Sequence, residues 1–157
     1  MLTSIYWVLR GAGMALIVPL ANYWLVCKRN VRLCVREPGD ALWQLPYQRL
    51  FQVESGDVVI DAGAYIGLFT ISVARKARKV IAIEPDPCNF SILQTNIALA
   101  RLTNVKLFNK ALWCKRGRVK FYISEQSSSS SIFGKRQGRK QHRVIDIETV
   151  RLDEIVA

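Results

Sequence analysis

Two acidic residues and two glycines stand at spacings that suit ligand binding at the edge of a parallel sheet. The run Val58–Asp61 is short and apolar and ends in an acid, and Gly63 and Gly67 follow it. Glu84 comes 23 residues after Asp61, at the end of a second apolar run. Gly63 allows backbone angles that a side chain forbids, and it lets a ligand approach the backbone. In a doubly wound sheet, ligands bind outside the carboxyl ends of the strands, where these residues are predicted to lie.

The spacing D-x-G-x-x-x-G from Asp61 to Gly67 predicts a cationic ligand that carries no phosphate. A dinucleotide fingerprint has G-x-G-x-x-G and holds a pyrophosphate. Here an acid stands two residues before the first glycine, and its charge would repel a phosphate at close range. S-adenosylmethionine has an amino group, a sulfonium and no phosphate, and Glu84 can accept hydrogen bonds from both of its ribose hydroxyls. We expect the backbone amides of the turn to point at this ligand.

The elements that position these residues follow from apolar periodicity. Strands and helices are predicted to alternate over Val58–Asp61, Leu68–Ala74, Lys79–Glu84, Asn89–Ala100 and Val105–Phe108. This order predicts a parallel sheet with right-handed crossovers. Further strands are predicted at Val31–Arg36, Arg118–Ile123 and Arg143–Ile147, with helical turns at Ala41–Phe51 and Arg151–Val156. The polar stretches Ser127–Ser131 and Gly134–Arg143 are predicted to form a loop between the last two strands.

The segment Asn109–Leu112 follows the third strand of this sheet, so it reaches the same crevice edge. Lys110 and Ala111 are candidates to meet an adenine ring there, through a polar side chain or a backbone amide. An ordinary exit from the strand into a loop explains the segment equally well, and both interpretations stay open.

Residues 1–30 contain a stretch, Gly11–Cys27, of seventeen residues without a charge. A bilayer-spanning helix needs roughly 20 such residues, and Pro19 interrupts the stretch. We expect a hydrophobic helix that packs on the domain or on a partner. An anchor at a membrane surface and a membrane span remain alternatives, because basic residues follow the run.

The composition favours an anionic partner without defining it. The formal net charge is +11, and the excess is smallest between residues 51 and 114, where the motifs lie. A nucleic acid, an acidic membrane or an anionic substrate would suit such a surface. Four cysteines without a C-x-x-C pair and the single His142 predict no metal site and reduced thiols in a cytoplasmic protein.

Taken together, four stretches resemble the FkbM-type S-adenosylmethionine-dependent methyltransferases. They are Asp57–Thr70, Val80–Asn89, Asn96–Leu112 and Val150–Val156, in the order and spacing of that family. The resemblance implies a Rossmann-like methyltransferase fold, a three-layer α/β sandwich, and methyl transfer to a hydroxyl of a sugar or secondary metabolite. It also implies that one group of residues holds the methionine end and that Glu84 holds the ribose. The first group is Asp61, Gly63 and Gly67. The full predicted cofactor-binding set adds Ala64, Tyr65, Pro85, Asp86, Lys110 and Ala111.

Two departures from the family pattern bear on activity. Tyr65 stands where the family has a small polar residue or histidine. The family continues past the segment at residues 150–156 with a fourth strand and an acidic motif, which this chain lacks. We therefore expect a truncated domain with Val58–Asp61 as an open sheet edge, through which chains could associate. No general base can be named, and His142 is expected to be solvated.

These observations predict three regions and leave several functions open. The regions are residues 1–30 as the hydrophobic helix, residues 31–56 as an extension, and residues 57–157 as the cofactor-binding domain. A small-molecule or sugar acceptor is expected, with nucleic acid an unlikely partner because no aromatic platform interrupts the basic run Lys135–Arg143. The alternatives are an RNA-modifying or nucleic-acid-binding protein, a non-catalytic remnant, and a nicotinamide-dependent dehydrogenase.

Overall fold

A computed structural model of the chain describes residues 6–9, 14–20, 23–28, 31–36, 52–124, 130–132 and 141–156. The predicted helix at 41–51 and most of the predicted loop between residues 127 and 143 lie outside these ranges. The described elements form three sheets and three helices.

The N-terminal run forms strands, so the predicted hydrophobic helix over residues 1–30 is wrong for the described part of that run. Four antiparallel strands follow one another in the order β1-β2-β3-β4. They are β1 (Tyr6–Leu9), β2 (Met14–Leu20), β3 (Tyr23–Lys28) and β4 (Val31–Val35). An unbroken apolar run has no periodicity that separates helix from strand, whereas Pro19 disfavours a helix interior.

Pro19 is compatible with β2 because of where the pairing with β1 stops. Within the described residues, the pairing with β1 reaches Ile17, opposite Tyr6, and does not include Pro19. On its other side Pro19 pairs with Trp24 of β3. A proline lacks the amide hydrogen that a central strand needs, and it is tolerated where one edge of the strand is unpaired. Within the described residues, no helix has the length and apolar character needed to cross a bilayer.

The central sheet confirms the predicted parallel α/β arrangement. Its strands pair in parallel in the order β5-β6-β7, and two helices make the crossovers. The elements are β5 (Val58–Ala62), α1 (Leu68–Ala74), β6 (Lys79–Ile83), α2 (Pro87–Leu99) and β7 (Val105–Phe108). Among the described strands β5 pairs only with β6, so its other edge has no partner strand within the described residues. Association of chains through this edge stays a prediction.

Side chains alternate along β6 between two apolar layers, which makes the sandwich three-layered. Val80 and Ala82 pack into clusters with residues of α1 and α2. Ile81 and Ile83 pack on the opposite side with Val150 and with Ile155 of a short helix, α3 (Leu152–Val156). The sheet therefore has helices on both faces, and the predicted Rossmann-like methyltransferase fold is confirmed.

The third sheet extends the C-terminal side in the order β8-β10-β9. Strands β9 (Gly117–Ser124) and β10 (Gln141–Val150) form an antiparallel pair that contains both predicted strands, and β8 (Ala111–Leu112) pairs in parallel with β10. Ion pairs between Lys120 and Asp146 and between Lys110 and Glu148 lie on this sheet. Since these pairs are largely exposed, each contributes little to stability.

Candidate functional site

The two strand-tip acids lie at the same edge of the central sheet, as the sequence predicts. Asp61 pairs in register with Ala82 of β6. Glu84 comes two residues after Ala82, directly after the end of β6. Residues in register on parallel strands point to the same face, so Asp61, Ala82 and Glu84 share the face that α1 covers. Both acids are buried, at 8% and 5% exposure. The arrangement gathers two carboxyl groups where the turn after β5 passes over the sheet.

The turn between β5 and α1 uses three residues in the left-handed region. Gly63, Tyr65 and Gly67 have φ angles of 84°, 53° and 88°. Left-handed angles cost little for glycine and more for tyrosine, so contacts must hold Tyr65 in place. An added Cβ on Gly63 would meet no atom within 4 Å, which leaves room for a ligand beside it. A Cβ on Gly67 would lie 2.5 Å from Leu93 Cδ1, so glycine is needed there for the packing of the turn on α2.

Four backbone amides of the turn donate to acceptors within the protein, which corrects for these four the expectation that the amides point at a ligand. The amides of Gly63 and Ala64 both donate to the carbonyl of Ile83, at 2.8 and 3.0 Å. The Tyr65 amide donates to Glu84 Oε2 at 2.8 Å, and the Gly67 amide donates to the Ala64 carbonyl at 2.8 Å. A phosphate cradle depends on free amide hydrogens. These four amides are engaged within the protein, so they are not free to hold a phosphate.

Asp61 is held by a threonine that the sequence analysis did not single out. The hydroxyl of Thr70, on α1, donates a hydrogen bond to Asp61 Oδ2, and Thr70 is fully buried. Burial raises the pKa of Asp61, and the hydrogen bonds from Thr70 oppose that shift. The sequence feature that could have predicted this bond is a hydroxyl residue, Thr70, on the buried face of α1, the helix that follows Asp61. Thr70 thus fixes the direction of the Asp61 carboxylate and favours its charged form.

Glu84 accepts three hydrogen bonds from the protein. They come from the Tyr65 amide at 2.8 Å, from the Asp86 amide at 2.9 Å and from the side chain of Asn89. Burial is the main cause that raises the pKa of Glu84 to about 7; these donors oppose the shift, and the charge of Asp86 contributes to it. A carboxylate offers about four lone-pair directions, so about one remains for a ligand. The predicted contact of Glu84 with the ribose hydroxyls stays a prediction.

Asp86 forms the start of α2, directly after Pro85. Asp86 is fully buried and caps the helix, because its Oδ1 accepts hydrogen bonds from the amides of Cys88 and Asn89. Pro87 occupies the first turn, where a missing amide hydrogen costs nothing. A direct contact of Pro85 or Asp86 with the cofactor stays a prediction.

The segment after β7 contributes a positioning residue that the sequence analysis passed over. The side-chain amide of Asn109 donates to the carbonyls of Glu84 and Pro85, at 2.8 and 3.2 Å. Lys110 pairs with Glu148 at 3.0 Å, and Ala111 is buried at the start of β8. Asn109 ties the tip of β6 to the tip of β7. A contact of Lys110 or Ala111 with adenine stays a prediction.

The described part of the chain shows no group of three or more histidine, cysteine or acidic residues placed to hold a metal ion. The side chain of His142 lies outside the described side chains, so its predicted exposure stays a prediction. The chemistry that the described residues offer is therefore that of two buried acids beside a turn. This arrangement suits a ligand with cationic and hydroxyl groups.

Comparison with known proteins finds similarity to methyltransferases. Residues 47–111 match the model of the TRM5/TYW2 methyltransferase domain. A protein of Methanosphaera stadtmanae named "Probable ribosomal RNA small subunit methyltransferase A" is 40% identical over 55 residues, which is 35% of this chain and 20% of that protein. The chain thus covers about a fifth of the length of this relative.

Two solved structures are similar at low identity. The tRNA m1G37 methyltransferase of M. jannaschii has a TM-score of 0.44 and 24% identity, over 60% of this chain and 31% of that chain. The methyltransferase FkbM of Methylobacillus flagellatus has a TM-score of 0.49 and 18% identity, over 73% of this chain and 28% of that chain. At this level FkbM is one similar methyltransferase among several, so the resemblance to the FkbM type is not specific.

The chain carries a domain of the S-adenosylmethionine-dependent methyltransferase class, and S-adenosylmethionine is the cofactor of that class. Within the class, the family model that matches residues 47–111 is that of the TRM5/TYW2 methyltransferase domain. The expectation that nucleic acid is an unlikely partner is wrong, because a relative that is 40% identical over 55 residues is named for ribosomal RNA. That expectation rested only on the lack of aromatic residues in the basic run Lys135–Arg143, and one segment is not sufficient to exclude nucleic acid.

Proposed function

We propose that this chain binds S-adenosylmethionine at the turn after β5 and presents its methyl group to an acceptor. One observation carries the proposal: two buried acids, Asp61 and Glu84, flank a turn whose amides at Gly63, Ala64, Tyr65 and Gly67 are all engaged inside the protein. Such a site repels phosphates and attracts amino and hydroxyl groups. Both kinds of group are present in this cofactor.

Each residue of the site has a defined part in this proposal. Glu84 accepts a hydrogen bond from one ribose hydroxyl, since about one of its lone-pair directions is left by the protein donors. Asp61, oriented by Thr70, supplies a negative charge for the cationic methionine end. The open space beside Gly63 admits the ligand to the backbone. The tyrosine ring at position 65 remains a candidate cover for the cofactor.

Bound S-adenosylmethionine supplies an electrophilic methyl group on its sulfonium. The acceptor atom forms a bond to that carbon while the carbon–sulfur bond breaks, and the electron pair of the broken bond stays on sulfur. The protein must hold the acceptor about 3 Å from the methyl carbon and take up any proton that it releases. No residue of the described part is assigned to that proton transfer.

RNA is the acceptor class that we favour. The net charge of +11 suits a polyanion, and the similar proteins named for RNA support this choice. Methyl transfer to a hydroxyl of a sugar or secondary metabolite is the second candidate, on the FkbM-type motifs of Asp57–Thr70 and Val80–Asn89. Transfer of a labelled methyl group to total RNA, compared with a pool of small hydroxylated metabolites, distinguishes the two.

Calorimetry with S-adenosylmethionine tests the cofactor site directly. The wild-type chain should bind, whereas Asp61→Asn and Glu84→Gln should weaken binding by about tenfold or more, the loss of one hydrogen bond to a charged group. Asp146→Asn is the matched control, because it removes an acid that pairs with Lys120 on an exposed strand. Equal affinities in all four proteins, or tighter binding of NADH than of S-adenosylmethionine, would contradict the proposal.

A further inference from the structure

A buried asparagine joins the N-terminal sheet to the turn after β5. Asn96 lies on α2 and is fully buried. Its Oδ1 accepts a hydrogen bond from the Cys34 amide at 2.6 Å, and its Nδ2 donates to the Cys34 carbonyl at 2.9 Å. The same Nδ2 also donates to the Ile66 carbonyl at 2.8 Å. One side chain thus satisfies backbone groups of two segments that lie far apart in the sequence.

At β4, the side chain of Asn96 bonds to the backbone groups that a neighbouring strand would otherwise pair with. Cys34 is opposite Leu25 in the antiparallel pair with β3. Residues in such a pair alternate between bonding to the partner strand and pointing away from it. The amide and the carbonyl of Cys34 bond to Asn96, so they belong to the edge of β4 that faces α2. Without Asn96, both groups would be buried and unpaired, which is costly.

At the turn, the asparagine holds the residue just before Gly67. Ile66 is fully buried, and the cluster that contains it also contains Leu33, Cys34 and Val35 of β4. The amides on either side of Ile66 are fixed by Glu84 and by the Ala64 carbonyl. The bond from Asn96 fixes the carbonyl of Ile66 from the other direction. Both apolar packing and the hydrogen bonds of Asn96 therefore hold Cys34 of β4 and Ile66 of the turn.

We propose that Asn96 is a positioning residue for the cofactor site, and that through it residues 31–36 form one unit with the cofactor turn. This inference rests on the proposed cofactor-binding function. Loss of the Ile66 anchor lets the turn sample other conformations, and a ligand must then pay the cost of ordering it. Conversely, a ligand that orders the turn should also reduce the opening of β4, because the two share one hydrogen-bonding partner.

The chain offers a matched control in Asn104. Its side-chain amide donates to the carbonyls of Ala74 and Ala77, at 2.8 and 2.9 Å, at the end of α1 that lies away from the turn. Asn96→Ala and Asn104→Ala should both lower the free energy of unfolding. At a temperature where both are folded, only Asn96→Ala should raise the Kd for S-adenosylmethionine, by about tenfold. Wild-type Kd values in both variants would overturn the inference.

Hydrogen exchange of the wild-type chain tests the same coupling without a substitution, in case Asn96→Ala does not fold. Saturating S-adenosylmethionine should slow exchange of the Cys34 amide, which bonds to Asn96. The Tyr122 amide, which bonds to the Ser131 carbonyl away from the turn, should not change. Unchanged exchange at Cys34 under saturation would overturn the inference. A wild-type chain that fails to bind the cofactor would overturn the proposed function, and this inference with it.

Discussion

Glu84 Oε2 accepts a hydrogen bond from the backbone amide of Tyr65 at 2.8 Å, and this bond joins the tip of β6 to the turn after β5. The acid thus has two tasks that compete for its lone pairs. It holds Tyr65 in a left-handed conformation with φ of 53°, and it is the candidate acceptor for a ribose hydroxyl. The protonation state of Glu84 consequently affects both the shape of the turn and the affinity for a ligand.

Cofactor affinity should rise as the pH increases through about 7. The pKa of Glu84 is raised to about 7 by burial, so the free chain holds Glu84 largely protonated at pH 6. A ribose hydroxyl donates best to the charged carboxylate, so binding lowers this pKa and releases a proton. Calorimetry between pH 5.5 and pH 7.5 should show the change in Kd, and buffers of different ionisation enthalpy should show the proton. An affinity that is constant over this range would contradict the assignment of Glu84 to the ligand.

The stability of the cofactor-free chain should fall over a similar range. Folding raises the pKa of Glu84 from 4.5 to about 7, so the folded state binds the proton more tightly than the unfolded state. The stabilisation is complete below pH 4.5 and is lost as the pH rises through about 7, and it amounts to about 3 kcal/mol. Urea unfolding at several pH values measures it. Glu84→Gln should remove this component, and an identical pH dependence in the variant would assign the effect to other groups.

The two glycines of the turn should respond differently to alanine. Gly67→Ala places a Cβ 2.5 Å from Leu93 Cδ1 at a φ of 88°, so strain and overlap with a fully buried side chain add together. We expect a loss of about 2–4 kcal/mol in unfolding free energy. Gly63→Ala adds a methyl group in open space at a φ of 84°, so only the strain of about 1–2 kcal/mol applies.

Affinity should show the reverse order for the same pair. The methyl group of Gly63→Ala would occupy the space where the ligand approaches the backbone. Relative to its loss in unfolding free energy, Gly63→Ala should therefore lose more affinity for S-adenosylmethionine than Gly67→Ala. Chemical denaturation and calorimetry on both variants make the comparison. A Gly63→Ala chain that binds S-adenosylmethionine like the wild type would show that the space beside Gly63 is not part of the site.

The sequence predicted the frame of this site well and its internal hydrogen bonds poorly. The bounds of α1 and β7 and the meeting of Asp61 with Glu84 follow from periodicity and from the parallel crossovers. The inward direction of the turn amides depends on the φ angles of Gly63 and Tyr65, which residue types alone do not fix. An asparagine within a helix is equally compatible with a solvent-facing position, so the buried role of Asn96 needed the packed structure to become visible.

Thr70 should tune the charge of Asp61 without changing the fold. Thr70→Val keeps the shape of the side chain but removes the hydroxyl that donates to Asp61 Oδ2. The pKa of Asp61, already raised by burial, should then rise further, since that hydrogen bond opposes the shift. Affinity for S-adenosylmethionine should fall by about tenfold through the lost hydrogen bond, and the loss should be larger at lower pH, because a raised pKa disfavours the charged form of Asp61.

Thr95→Val provides the matched control for this prediction. Thr95 is exposed on α2, and its hydroxyl donates to the Ser91 carbonyl within the same helix, away from both acids. Its replacement should leave the Kd and its pH dependence unchanged. Calorimetry at pH 6 and pH 8 on the two variants gives the comparison. If Thr70→Val and Thr95→Val bind alike at both pH values, the hydrogen bond from Thr70 to Asp61 does not contribute to ligand binding.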